Sequence, residues 1–259
     1  MKNKPSIIWY DSVDSTNDEA RRLISGIDNL SVLAAEHQTA GRGQRGNKWS
    51  GGFGENLTFS LVLKFGTANP LPEDSLLPAM FVRDQFSISE MTTVAVSDFL
   101  AGKGIRAEIK WPNDIYVGNK KICGMLVESG TSGQLLEYSI VGIGINVNQT
   151  VFPPELVNPV SMSAITKRNY VIKDLLIELS ECLCSLLPMI SDEDGRGVLM
   201  EKYLSRLYRK GLESEYFDCL SGKRFMGTIT GITDQALLRV KLADGSVKDF
   251  SFKEISYII

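Results

Sequence analysis

The chain has a single histidine, His37, among 259 residues, and its four cysteines (Cys123, Cys182, Cys184, Cys219) include no Cys-x-x-Cys pair. That scarcity argues against a structural zinc site or a disulfide framework and fits a reducing compartment, the cytoplasm. No apolar run reaches the about 18 residues that span a membrane. The polar start Met1-Lys2-Asn3-Lys4 lacks the core of a signal peptide. Basic excess is missing too: 28 lysines and arginines against 31 acidic residues give a formal net charge of -3, which speaks against a general nucleic-acid or membrane-surface role. There is no internal repeat and no low-complexity tract. With 43% apolar residues, the chain can bury one large core, or one core and a small satellite domain.

Positive charge is concentrated instead in one stretch, Gly41-Arg42-Gly43-Gln44-Arg45-Gly46-Asn47-Lys48-Trp49. Its glycines remove the Cβ atoms that would hold backbone amides away from a ligand, and its cations sit among those amides, a pattern suited to an anion. The spacing formally matches Gly-x-Gly-x-x-Gly, but the dinucleotide fingerprint needs a helix to follow. Here more glycines, at 51, 52 and 54, lead into residues 57–65, which read as a second strand after 32–35. A P-loop fails as well, because Asn47 follows Gly46 where lysine is required. The stretch reads as a basic loop between two strands, able to close over a ligand, with an ordinary Gly-rich hairpin connection as the alternative.

Residues 7–10 read as a short strand. Ser15 or Thr16 can N-cap a helix to about residue 25, with acidic residues three positions on completing a capping box. A Ser15-Thr16-Asn17 run at such a junction also offers donors and acceptors to a neutral polar group such as a urea. His37 fits a hydrogen-bonded strand end better than a general base, and Gln38 is placed to orient a ligand. Residues 66–86 read as loop with a helical turn or two, and 89–100 as a core helix with an acidic first turn. Pro112 sets Asn113 and Asp114 at a break between strands. Residues 115–117 and 120–128 form a hairpin about the turn Gly118-Asn119, in which alternation puts Lys121, Cys123 and Met125 on one face and Ile122 and Gly124 on the other. A strand from 135 runs into Gly142-Ile143-Gly144-Ile145-Asn146, where the glycines leave a face against which a flat ring can lie. Asn146 can then read a base edge or hold a phosphate. Periodicity gives a long helix at 171–189, an acidic loop at 191–197 and a last helix at 198–210. From Gly211, strand-like runs at 225–230, 236–242 and 247–252 suit a small β-barrel that leans on the larger domain.

The order and spacing of four blocks carry a resemblance: the basic loop closing on Lys48-Trp49, Lys110-Trp111-Pro112-Asn113-Asp114, Lys121-x-x-Gly124, and Gly142-x-Gly144-Ile145-Asn146. From about Trp9 to the C-terminus the sequence resembles the biotin–protein ligase (biotin–[acetyl-CoA-carboxylase] ligase) family. The resemblance implies an α+β fold, a mixed β-sheet packed by helices of the class II aminoacyl-tRNA synthetase-like (biotin–lipoate ligase) kind, with a C-terminal SH3-like β-barrel. The expected division is residues 1–210 and 211–259. It implies biotin and ATP as substrates, with Mg2+ entering alongside ATP and no protein-held metal. The implied partner is a biotin carboxyl carrier protein domain of acetyl-CoA carboxylase or a related enzyme, without nucleic acid or membrane, the protein being a monomer or weak homodimer.

By position, Ser15, Thr16, Asn17, Gln38, Gly41, Arg42, Gly43, Gln44, Lys121 and Gly124 would serve biotin. Arg42, Arg45, Lys48, Trp49, Lys110, Asn113, Lys121, Gly144 and Asn146 would serve ATP and the adenylate. Lys121 and Arg42, with magnesium, would offset the repulsion between carboxylate and phosphate, Lys110 with Arg45 and Lys48 would serve the phosphates, and Asp114 would orient the acceptor amine and help remove its proton. Gln44 stands where the commonest family pattern has arginine, so adenylate retention is expected to lose one charge. Three other readings stand beside this one: a lipoyl or octanoyl transferase using Cys123 as nucleophile, a biotin-sensing repressor, and a noncatalytic scaffold. Only 14 residues precede Ser15, too few for a winged-helix domain of the repressor type.

Overall fold

The computed structural model describes residues 5–66 and 77–259, so much of the loop expected at 66–86 lies outside the described residues. Strand β1 (Ile7–Val13) leads through helix α1 (Thr16–Leu23) to β2 (Val32–Gln38) and β3 (Asn56–Lys64). Helix α2 (Phe86–Gly102) precedes the short strands β4 (Glu108–Lys110) and β5 (Asp114–Val117) and the long pair β6 (Lys120–Ser132) and β7 (Leu135–Asn146). These strands form a seven-stranded mixed sheet of order β1-β2-β3-β7-β6-β5-β4, in which β1 and β2 are parallel. Helices α3 (Met162–Thr166), α4 (Ile172–Leu186) and α5 (Glu193–Ser205) follow. Among the described residues no helix is long and apolar enough to cross a membrane.

Alternation along the strands sorts side chains onto two unlike faces. Leu57, Phe59, Leu61 and Leu63 of β3 join Val141, Ile143 and Ile145 of β7 in a large core shared with α2, α4 and α5. The other face carries α1 over a smaller cluster, formed among the described residues by the buried Ala20, Ile27, Leu33, Val62 and Ile140. At about 1.5–3 kcal/mol per fully buried large apolar side chain, that cluster anchors α1 modestly. Polar Ser60 and the bare Gly142 and Gly144 share α1's side of the sheet, which leaves a hollow next to the helix.

Two helix starts differ from the sequence reading. Helix α2 begins at Phe86, so Glu90 is not in an exposed acidic first turn but lies in the core, 3% exposed, with its Oε1 lacking a hydrogen-bond partner. Burial pushes its carboxyl up to about 7. Because the folded state binds this proton more tightly than the unfolded chain, the contribution is full below the unfolded value near 4.5 and is lost as pH rises through about 7. Urea unfolding should show stability falling between pH 5 and 8 by roughly 2–3 kcal/mol from this group, with Glu90→Gln flattening that slope. A slope unchanged in the variant would remove the assignment.

Helix α5 begins at Glu193, capped by Asp192, whose Oδ1 accepts from the Gly195 amide at 2.7 Å. The acidic stretch read as loop is therefore its first turn. Glycine is required at 195 because a Cβ there would lie 2.4 Å from the Met189 carbonyl oxygen.

Beyond Gly211, strands β8 (Glu213–Asp218), β9 (Lys223–Ile232), β10 (Leu238–Leu242), β11 (Val247–Phe250) and β12 (Ile255–Tyr257) form an antiparallel sheet of order β11-β10-β9-β8-β12, which fits an SH3-like domain. Strands β8 and β12 add to the three expected; β8 is largely polar and β12 has three residues, so neither shows strong apolar alternation. The sheet shares the large core through Tyr216, Ile229, Leu238, Val240, Phe250 and Ile255. It also docks on the β4–β5 turn, where the Trp111 Nε1 donates to the Ala236 carbonyl at 3.0 Å and the Trp111 and Phe252 rings meet edge to face.

Candidate active site

A cavity of about 360 Å³ opens on the α1 side of the sheet, within the range of roughly 300–1,000 Å³ usual for small-molecule sites. Its walls come from the first turn of α1, the basic loop, the β4–β5 turn, the β6 and β7 strands, and β12 of the C-terminal sheet.

One end is neutral and polar. Ser15 N-caps α1, its side chain accepting from the Asp18 amide. Gln38 Oε1 accepts from the Thr16 amide at 2.8 Å and from Thr16 Oγ1 at 3.2 Å. Ser60 Oγ lies 2.8 Å from Thr16 Oγ1 and donates to Asn17 Oδ1 at 2.6 Å, while Asn17 Nδ2 donates to Glu128 Oε2 at 2.8 Å. The Thr16, Asn17 and Gln38 side chains are thereby fixed by partners behind them. A fixed set of donors and acceptors at a cavity wall can recognise a neutral polar ligand without paying to order itself.

The floor is the glycine strip of β6 and β7. A Cβ on Gly142 would lie 2.2 Å from Asn17 Oδ1, and one on Gly144 would lie 2.3 Å from Trp49 Cε2. The flat ring lying on this bare strand is therefore the loop's own Trp49. Its indole Nε1 is buried without a partner.

Lys121 reaches this floor through an irregularity that alternation does not foresee. Ile115 pairs with Cys123 but Tyr116 pairs with Lys121, so Ile122 is the extra residue of a β-bulge. The expected grouping of Lys121 with Cys123 and Met125 is thus corrected. Cys123 and Met125 join the core, whereas Lys121 shares the cavity face with Gly124, where a Cβ would lie 3.0 Å from its Cε and 3.1 Å from its Nζ. Lys121 Nζ is 2.7 Å from Asp114 Oδ1. Toward the C-terminal sheet, Lys110 Nζ donates to Tyr116 Oη at 3.1 Å and lies 4.7 Å and 4.9 Å from the Tyr116 and Tyr257 ring centres. Burial, with the Asp114 charge adding to it, pushes the Tyr116 phenol up.

The basic loop folds back on itself, the Trp49 amide donating to the Gly41 carbonyl at 2.9 Å and the Gly43 amide to Asn47 at 2.7 Å. Arg42 crosses to the far wall, with Nη2 at 2.8 Å from Glu128 Oε2 and 2.7 Å from Asp18 Oδ1. Burial pushes the Glu128 carboxyl up, but hydrogen bonds from Asn17, Arg21 and Arg42 outweigh it and hold the group below the usual glutamate range.

Of the residues singled out from sequence, Ser15, Thr16, Asn17, Gln38, Arg42, Gly43, Gln44, Lys48, Trp49, Lys110, Asn113, Asp114, Lys121, Gly124 and Gly144 all line this one cavity. Asn113 is buried and donates to the Met125 carbonyl at 3.0 Å. Gly41 lies behind the lining, packed on Gln38 and the Trp49 carbonyl. Asn146 does not line the cavity: its amide donates to the carbonyls of Val160 at 3.1 Å and Lys121 at 3.4 Å, tying the end of β7 to the bulge. The Arg45 side chain lies outside the described residues. Cys123 is fully buried, its thiol pushed up by burial, and it does not face the cavity, so it is no acyl-carrying nucleophile. His37 stacks on Phe53, away from the cavity. Sequence reasoning missed Ser60, Glu128 and the β12 residues. Ser60 could have been found as a hydroxyl within an apolar strand, whereas nothing in the order of the chain brings β12 to Lys110.

Residues 9–146 match the family model described as "Biotin/lipoate A/B protein ligase family". The bifunctional ligase/repressor of Bacillus subtilis is 29% identical over 254 residues, covering 95% of this chain and 72% of that protein. The biotin–[acetyl-CoA-carboxylase] ligase of Paracoccus denitrificans is 36% identical over 137 residues, 52% of this chain and 51% of that one. Among solved structures, the biotin protein ligase from Aquifex aeolicus in complex with biotin and ATP superposes with a TM-score of 0.75 at 26% identity, covering 97% of both chains. The match to the family model spans more than half of the sequence and contains the loop, the ammonium-bearing strand and the glycine strip of the cavity, and on that ground the chain belongs to the biotin/lipoate A/B protein ligase family.

Proposed function

We propose that this chain is a biotin–protein ligase, which activates biotin with MgATP and transfers it to a lysine of a biotin carboxyl carrier domain. The observation that carries the reading is one cavity holding a fixed neutral polar end, a bare glycine floor and the ammonium groups of Lys48, Lys110 and Lys121. In the first step a carboxylate oxygen of biotin bonds to the α-phosphorus of ATP and the bond to pyrophosphate breaks. In the second, the carrier amine attacks the acyl carbon and AMP leaves with the bridging oxygen.

The Thr16, Asn17 and Gln38 groups suit the ureido ring of biotin, which would run its chain past the Trp49 ring that covers Gly144, toward Lys121. There the ammonium offsets the meeting of two anions, a repulsion of about 4 kcal/mol at 4 Å and an effective dielectric near 20. Lys110 and Lys48 face the phosphate side. Among the described residues no group of three or more His, Cys, Asp or Glu could hold a metal ion, and Asp114, the one carboxylate among the lining residues, already holds Lys121. Magnesium would enter with the nucleotide and neutralise phosphate charge there.

When Lys121 turns to the ligand, Asp114 is left facing the open edge, placed to receive a proton from the acceptor amine. At a reference pKa near 10.4, deprotonating that amine at pH 7 costs roughly 4–5 kcal/mol. Asp114→Ala should slow transfer by on the order of 10²-fold and slow adenylate formation only several-fold, about the worth of a partly exposed ion pair. Equal losses in both half-reactions would remove this role.

Free thiols at all four cysteines suit a cytoplasmic protein, and the slight negative charge suits one that does not bind nucleic acid. We read residues 1–210 as the catalytic unit and 211–259 as an accessory barrel that closes the phosphate end, in a monomer or weak homodimer. The decisive assay incubates the protein with ATP, magnesium, biotin and a purified carrier domain and weighs the carrier by mass spectrometry. A carrier that another ligase biotinylates but that gains no mass here would sink the reading.

A further inference from the structure

We propose that Glu128 is a positioning residue that latches the basic loop over the cavity through Arg42, and so sets how long the activated acid is retained; the inference rests on the ligase reading above. Glu128 stands on β6 just outside the cavity lining. Its Oε1 meets Arg42 Nη1 at 3.2 Å and Arg21 Nη2 at 2.7 Å, and its Oε2 meets Arg42 Nη2 and Asn17 Nδ2, both at 2.8 Å. One carboxylate thus joins the loop, helix α1 and the sheet, and it does so on the two residues that border the polar end of the cavity.

Arg42 is, among the described residues, the loop side chain that forms ion pairs across to the opposite wall. The loop's backbone hydrogen bonds near its tip are internal, from Trp49 to Gly41 and from Gly43 to Asn47, while Trp49 stays packed on the Gly144 strip, so release of Arg42 frees the tip about that anchored end. The two-pronged grip of a guanidinium on a carboxylate fixes direction as well as distance. Asp18 supplies a second, single-pronged hold on Nη2 that it shares with Arg21. Glutamine in place of Glu128 therefore weakens the latch by removing its charge, while its amide oxygen can still accept from Asn17 Nδ2 and keep the polar end in place.

Two measurements on Glu128→Gln test this. In the ligand-free protein, hydrogen exchange of the amides at 41–49 should accelerate by roughly fivefold or more while the amides of β3 and β7 keep their protection. In the presence of biotin and MgATP without carrier, the lifetime of the bound adenylate should shorten by a similar factor. The KM for biotin should rise, with kcat for carrier modification at saturating biotin staying within about twofold. A merely structural role would lower kcat and melt the strands together. Should Glu128→Gln fail to fold by circular dichroism, Glu128→Asp, which withdraws the carboxylate by one methylene, must show the same direction. Unchanged loop exchange and unchanged adenylate lifetime in the folded variant overturn the latch. A wild-type protein that forms no adenylate would instead overturn the ligase reading, and loop exchange would still decide the latch.

Discussion

Replacing Lys121 by glutamine is expected to lower biotin-dependent ATP–pyrophosphate exchange by on the order of 10²–10³-fold, the usual loss when one preorganised donor to a developing charge is removed. The side chain is about one-third exposed and, among the described residues, its one ion pair is with Asp114, so folding should be nearly untouched and the loss should fall on the chemistry. Glutamine keeps a hydrogen-bond donor and removes the charge, which isolates the electrostatic part. Arginine in the same place keeps the charge but must fit where a mere Cβ on Gly124 would already crowd the lysine at 3.0–3.1 Å. It should therefore restore only part of the rate. Exchange within about threefold of wild type in Lys121→Gln would show that the ammonium does not bring the two anions together.

Gly142→Ala is expected to raise the KM for biotin by about 10–100-fold and to lower stability by about 1–3 kcal/mol, the range for overpacking a tight site. The added methyl would lie 2.2 Å from Asn17 Oδ1, and neither partner can yield easily. Gly142 is paired to Ser60 and Leu126 in neighbouring strands, while Asn17 is bonded to Ser60, Glu128 and the Leu126 carbonyl. The polar end of the cavity must deform. Gly130→Ala is the control: its methyl would lie 2.3 Å from the Tyr138 ring in the same pair of strands but away from the cavity. It should lower the urea midpoint without moving KM. Equal KM values in the two variants would disconnect Asn17 from biotin.

The sequence by itself determined the local elements whose cause is local. The capping hydroxyl of Ser15, the break at Pro112, the Gly118-Asn119 turn and the glycines of the loop act within a few residues, so the helix start, the strand interruption, the hairpin and the basic loop were legible. The same holds for most of the cavity-lining residues, because four short blocks carry them. What only the tertiary structure decided depends on partners distant in the chain. The bulge that turns Lys121 toward Gly124 arises from the register of β5 against β6, and alternation read along one strand cannot contain it. Glu90 looked like a helix-start charge until packing of α2 buried it, and the β12 strand reached Lys110 only because the C-terminal sheet docks on Trp111. Arg42 read as a cation for a ligand, and folding gave it two carboxylates from α1 and β6. Local propensity is written in neighbouring residues, whereas burial, register and ion pairing are set by which surfaces meet, and those meetings exist only once the chain is folded.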